Sequence, residues 1–182
     1  EREDPGNKSF SILNRNIVKV VSGKSKNSLD LVDKIYSKIT NKTYKVSNIK
    51  TAEFTKLLEN IYRSVNIGMI NEMKAICDKF EINIYESIEA ANSKPFGFHA
   101  FYPGPGVGGH CIPVDPYFLS WKANQLGART RFIKLAGEIN ESRPTNIVDQ
   151  LIDYFQNKNL SKLKCLLLGQ TYKKNSDDLR MS

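Results

Sequence analysis

The sequence predicts a mainly α protein: a central all-helical domain built on one long helix, with pieces of α/β structure on either side. Three observations carry that prediction. Residues 50–80 contain no proline, and Phe54, Leu57, Leu58, Ile61, Val65, Met69, Met73, Ile76 and Phe80 follow the spacing of one helical face. Ile17–Gly23 (IVKVVSG) and Leu163–Gly169 (LKCLLLG) are short apolar runs closed by glycine, the pattern of strands buried on both faces of a parallel sheet. Tyr102–Pro116, YPGPGVGGHCIPVDP, holds four of the chain's eleven glycines and four of its seven prolines, so no helix or central strand can run through it.

In chain order, the strand at Ile17–Gly23 is followed by apolar residues 29, 31, 32, 35, 36 and 39, which predict a helix over 28–39 capped by Asn27 or Ser28. Thr43–Ser47 reads as a second strand, and strand, helix and strand together read as the end of an α/β sheet. The long helix follows. At 1.5 Å per residue it extends about 45 Å, more than a small domain needs, and such a helix usually bridges domains or carries a subunit interface. Lys56, Asn60 and Arg63 stack on its polar side, and Asn60, Asn66 and Asn71 are poor helix formers inside it, flanked by Lys56 and Glu72. Part of this face is therefore expected to be a buried polar site. A second helix is predicted over 83–91. A third runs from Asp115 as N-cap and Pro116 as N1 to Leu126, with Gly127 ending it. A fourth covers 131–156, kinked or broken at Pro144. The expected domains are 1–48, 49–160 and 161–182, with the chain beginning and ending inside domains.

Composition is that of an ordinary globular protein, 40% hydrophobic and 25% charged. No apolar run approaches the roughly 18–20 residues that span a bilayer, and the opening EREDPGNK has no hydrophobic core of a signal peptide. Cys77, Cys111 and Cys165 are odd in number and far apart, which favours reduced thiols and a cytoplasmic protein. The basic residues behind the net charge of +8 are scattered along the chain, with no basic block interleaved with aromatics. We expect a solvated lysine-rich surface and no nucleic-acid or membrane partner, although the charge suits a phosphorylated substrate.

Gly104-x-Gly106-x-x-Gly109 spells the dinucleotide fingerprint, but no strand precedes it and His110, Cys111 and Pro113 follow where a helix would have to open. It is not a dinucleotide cradle. His99, His110, Cys111 and Asp115 are close in sequence without the paired spacing of a zinc site, and no metal is expected. Nucleophilic chemistry at Cys111 is the stronger reading. The thiol stands among glycine amides and before a helix start, with Lys56 as a cation that could serve it; these are residue types that favour a thiolate. Such a thiol can attack an aldehyde, and Asp115 could act as base on the water that later hydrolyses a thioester. The plain alternative is a buried structural cysteine, which suits Cys77 and Cys165 better, because glycines offer Cys111 little surface to pack on.

Taken together, Ala52–Asn60, Tyr62–Ile67, Asn71-Glu72, GPGVGGHCIPVDP, Leu168–Lys173 and Asp178–Arg180 resemble, in order and spacing, the UDP-glucose/GDP-mannose dehydrogenase family; Glu1-Arg2 with Pro5-Gly6 resembles its segment closing the cofactor domain. The resemblance implies NAD as cofactor, truncated Rossmann-like domains at both ends, and a homodimer through the long helix. It implies two-step oxidation of a UDP-sugar at C6 to the uronate, within surface polysaccharide precursor synthesis. Cys111 would form the thiohemiacetal and thioester. Lys56 and Asn60 would stabilise negative charge on oxygen, Asp115 would assist the lysine and water chemistry, and Glu1 would take part in hydrolysis or substrate binding. Phe101, Tyr102, Gly106, Gly108, Gly109 and Lys173 would contact the sugar nucleotide, and Arg180 the cofactor. GHCIPVDP, FLSWKA and RFIKLAGEIN look most like members acting on UDP-N-acetylhexosamines, and Lys94–Phe98 lacks the arginine found there in many UDP-glucose enzymes. The cofactor's strand–GxGxxG–helix unit is absent from the chain, which by itself is not expected to turn over. A non-catalytic helical dimerisation module is the alternative.

Overall fold

The computed structural model describes residues 17–109, 111–156, 159–172 and 179. It divides inside the long helix into two compact units, Glu1–Glu59 and Asn60–Ser182. Glu1, His110, Lys173, Asp178 and Arg180 lie outside the described residues.

The first unit contains β1 (Lys19–Val21), α1 (Lys26–Tyr36) and β2 (Thr43–Lys45). The strands pair in parallel, with Lys19 opposite Thr43 and Val21 opposite Lys45. A parallel pair needs a crossover, and α1 supplies it. The predicted N-cap is displaced by two or three residues. Ser25 accepts from Ser28 N–H at 3.2 Å while Ser28 Oγ accepts from Ser25 N–H at 2.8 Å, a reciprocal capping box built from two serines. Asp33 ties α1 to β2, accepting from Thr43 Oγ1 at 2.5 Å and pairing with Lys45 at 2.7 Å. Lys45 and Thr43 together hold the Asp33 carboxyl below its ordinary range. Burial on both faces of β1 is not observed: Val21 is buried, but Val20, on the opposite face, is exposed.

The long helix, α2, runs Ile49–Lys79, with Asn48 Oδ1 accepting from Thr51 N–H at 2.9 Å at its start. Its end is a Schellman turn: Ile82 N–H donates to Cys77 O at 2.9 Å, and Glu81 takes φ 58°, a left-handed position normally given to glycine.

In the second unit, α2 is joined by α3 (Ile84–Asn92), α4 (Asp115–Gln125), α5 (Arg131–Tyr154) and a 3-10 turn at Leu160–Lys162. Asn83 caps α3 through Tyr85 and Glu86 N–H. Ile70, Ile84 and Ile88 form the core, with Met73, Cys77, Phe98, Ala100 and Phe101 packed against it. Gly68 lets α2 and α5 approach closely: a Cβ there would lie 3.3 Å from the Ala136 backbone. Pro144 stands inside α5 without ending it, and its ring faces Gly106 of the glycine-rich loop, 3.9 Å from where a Cβ would sit. Gly127, at φ 77°, closes α4 as predicted.

Two further expectations are corrected. Asp115 is the first residue of α4 rather than its cap, because Val114 N–H and Asp115 N–H already turn onto Cys111 O at 3.3 and 2.9 Å. Leu163–Gly169 forms no strand, and Leu166, Leu167 and Leu168 are more than 80% exposed, because no described strand offers the ladder partners that a parallel strand requires. No helix among the described residues is long and apolar enough to cross a membrane.

Candidate active site

The site assembles where α2, the glycine-rich loop and the start of α4 meet in the second unit. Asn60 is completely buried on α2. Its Nδ2 donates to Asp115 Oδ2 at 2.6 Å, and its Oδ1 accepts from the guanidinium of Arg63, three residues on. The amide thus lies between a carboxylate that only accepts and a cation that only donates. Cys111 is half-buried, and its carbonyl takes Asp115 N–H. That i→i+4 bond closes one turn between Cys111 and Asp115, just before α4 begins.

A second polar network fixes the entry to the loop. Gly104 N–H donates to Asn71 Oδ1 at 3.0 Å, and Gly104 O accepts from Arg143 Nε at 3.1 Å. Asn140 Nδ2 donates to Ser64 O at 3.0 Å, while its Oδ1 accepts from Asn71 Nδ2 at 3.4 Å. Asn71, Asn140, Arg143 and Ser64 are all buried. Buried polar groups are tolerable only when paired, and here two helices spend their pairing on both backbone groups of one glycine.

Deeper in the loop, Gly108 and Gly109 take φ 59° and 72°. A Cβ on Gly108 would stand 2.1 Å from Tyr172 Cβ, and one on Gly109 would stand 3.0 Å from the Tyr172 ring. Glycine is required here twice over, by backbone conformation and by the tyrosine against it.

Of the residues singled out from sequence, Asn60 and Asp115 are in direct contact. Cys111 is joined to Asp115 through the backbone, and Gly106, Gly108 and Gly109 share the same loop. Phe101 packs on the core and edge-on against Tyr62 at 5.7 Å between ring centroids. Tyr102 is exposed. Lys56 belongs to the first unit, where it lines a cleft of about 590 Å³ with Lys19, Val21, Tyr36, Thr55 and Glu59, and lies 3.9 Å from the Glu59 carboxylate. The expected polar site on α2 is formed by Asn60 and Asn71; Asn66 instead returns its amide to Tyr62 O at 2.7 Å, and Glu72 is exposed. Asn140 and Arg143 were missed from sequence. Their one signal was a pair of polar residues at i, i+3 beside Ala136 and Pro144, which reads equally as a solvated face. Tyr172, read only as part of a motif, was not expected at the loop.

The described residues contain no strand passing through GxGxxG into a helix, so they do not make a dinucleotide cradle. They also contain no cluster of three or more side chains suited to a metal ion.

The described site is thus a helical core carrying a hydrogen-bonded Asn–Asp pair beside the cysteine that follows a glycine-rich loop. Residues 50–142 match the central domain of the UDP-glucose/GDP-mannose dehydrogenase family, and the chain belongs to that family. It is 37% identical over 164 residues to UDP-N-acetyl-D-mannosamine dehydrogenase of Methanococcus vannielii, covering 90% of this chain and 37% of the relative. It is 38% identical to UDP-N-acetyl-D-glucosamine 6-dehydrogenase of Pseudomonas aeruginosa over 183 residues, 99% of this chain and 42% of the relative. Among solved structures, UDP-D-ManNAc dehydrogenase from Pyrococcus horikoshii superposes with a TM-score of 0.85 at 32% identity, covering 100% of this chain and 43% of that one. The chain therefore spans well under half the length of the relatives it matches.

Proposed function

We propose that the chain is the catalytic and dimerisation segment, centred on 49–160, of an NAD-dependent 6-dehydrogenase that converts a UDP-N-acetylhexosamine to its uronic acid. The observation that carries this reading is the Asn60–Asp115 hydrogen bond formed one turn beyond Cys111. The names of the relatives support the substrate class. NAD supplies the oxidising equivalents, two per sugar, and is held by residues other than those described.

What this chain's residues do follows from their chemistry. The Cys111 thiolate adds to the C6 aldehyde, giving a thiohemiacetal whose oxygen carries the developing charge. Asn60 Nδ2 has two protons and gives one to Asp115, leaving the other for that oxygen or for water. Lys56, on the same helix, is the proposed cationic partner of that charge. After oxidation to the thioester, Asp115 takes a proton from the attacking water, and the C–S bond breaks to release the carboxylate and the thiol. Gly108 and Gly109, whose Cβ side is taken by Tyr172, are proposed to meet the sugar nucleotide through their backbone. Tyr102, Gly106, Phe101 and Lys173 are its proposed contacts, with Glu1 and Arg180 completing the substrate and cofactor sites.

The test uses the complete gene product with UDP-N-acetyl-D-mannosamine or UDP-N-acetyl-D-glucosamine and NAD. Two NADH per uronate are expected from the wild type and no uronate from Cys111→Ala. A normal uronate yield from that variant would sink the nucleophile. The second reading, a helical dimerisation module without catalysis, draws on the exposed Phe54, Leu58, Tyr62, Met69 and Ile76 of α2, with Phe80 just beyond its end. It predicts a dimer by sedimentation that charged substitutions at Leu58 and Met69 disrupt, and no turnover of any UDP-sugar.

A further inference from the structure

We infer that Arg63 is a positioning residue: it sets which way the Asn60 amide faces and so where the amide presents its free proton. The inference rests on the dehydrogenase reading for its consequence in catalysis, but its geometry is independent of it. A buried primary amide has two orientations related by a half-turn about χ2, and nothing in its shape selects one. Selection comes from the partners. Arg63 has donors only, so the atom facing it must be Oδ1; Asp115 as a carboxylate accepts only, so the atom facing it must be Nδ2. Because the amide is planar, those two contacts fix the direction of the second Nδ2–H. That proton is the one available to an oxygen in the site.

Arg63 is placed for this by the helix itself. At i+3 it shares the face of Asn60, and its Nε is buried with no hydrogen-bond partner among the described residues. A guanidinium drawn in this far, with one donor left unpaired, costs stability, so its contact with Asn60 is not explained by stability alone. The pairing Arg63–Asn60–Asp115 also separates a cation from an anion by a neutral amide, which polarises the amide from both ends and strengthens both hydrogen bonds.

The complete gene product bearing Arg63→Met, Arg63→Gln or Arg63→Lys separates orientation from folding. Arg63→Met removes the donor; Arg63→Gln keeps a polar group but adds an acceptor, so the orientation is no longer forced; Arg63→Lys keeps a donor-only cation. Met and Gln are each expected to lower kcat by about a hundredfold, the scale of a misplaced catalytic group, while Lys restores most of it. KM for the UDP-sugar should stay within about twofold throughout. Wild-type kcat in a folded Met or Gln variant, or a loss carried by KM alone, overturns the inference. If the wild type makes no uronate, the functional reading fails separately, and the inference is read by NMR on the chain labelled with [15N]asparagine. The Asn60 side-chain amide, identified by its loss in Asn60→Asp, should then exchange with solvent about tenfold faster in Arg63→Met or Arg63→Gln than in wild type, as local protection is lost. Unchanged exchange in both folded variants overturns it.

Discussion

The side-chain amide of Asn60 donates to the carboxylate of Asp115 at 2.6 Å, joining two residues 55 positions apart in the chain. Asn60 has no exposed surface, and every polar atom of its side chain that meets protein meets a group able to carry charge. Asn60→Ala would strand both partners. A partly buried cation and anion left without their bridging amide should cost about 1–3 kcal/mol of stability, read as a lower urea midpoint at unchanged m-value. Uronate formation should fall at the same time. An unchanged midpoint would show that Arg63 and Asp115 find other partners.

Gly108 and Tyr172 form a second pair whose coupling can be measured. Gly108→Ala meets two penalties, the left-handed φ of 59° and the contact with Tyr172. The backbone penalty is about 1–2 kcal/mol, and the clash adds to it. In Gly108→Ala with Tyr172→Gly, which removes the Tyr172 Cβ as well as its ring, only the backbone penalty remains at position 108, so the double mutant should lose less than the sum of the singles. Strict additivity in a double-mutant cycle would count against the contact.

Glu81 gives a prediction of the opposite sign. It closes α2 at φ 58° in the position where glycine is normally found. Glu81→Gly removes the left-handed penalty and gives back part of the gain as unfolded-chain entropy, leaving a net stabilisation of about 0.5 kcal/mol. Thermal unfolding of the two proteins measures it, and a lower midpoint in the variant would contradict it.

Tyr117 makes stability depend on pH. Partial burial, and then the Glu141 carboxylate accepting from its hydroxyl at 2.7 Å, push the phenol up to about 12. The folded state therefore keeps the proton where the unfolded chain loses it. The contribution is fully present below the ordinary tyrosine value near 10 and is lost as pH rises towards 12. Subtracting the alkaline unfolding profile of Tyr117→Phe from that of wild type should leave a decline confined to this interval. A flat difference would show that Tyr117 does not titrate in this way.

Local pattern was enough for much of the architecture. The apolar spacing over 50–80 predicted α2 almost to the residue, because a proline-free run with one apolar stripe has few other ways to hide it. Gly127 and Asn83 acted at the helix ends as their backbone and hydrogen-bonding preferences dictate. The crowding of glycine and proline at 102–116 marked the loop, and within it Cys111 stood out because the glycines offer it little surface to pack on, whereas Asp115 also reads as a helix cap. Tertiary structure decided what sequence spacing cannot express. Asn60, Asn66 and Asn71 look alike in the sequence, yet two are buried in networks and one only returns a hydrogen bond to its own helix. Their fates depend on Asp115, Gly104 and Asn140, which are brought to them from far along the chain. Asn140 and Arg143 read as a solvated helix face until Gly104 is placed against them. Leu163–Gly169 has the composition of a buried strand, but strand formation depends on partners that composition does not contain. The residue types of the site are a property of the sequence. The orientation of the Asn60 amide comes only from the fold, because it depends on which charged group stands at each end.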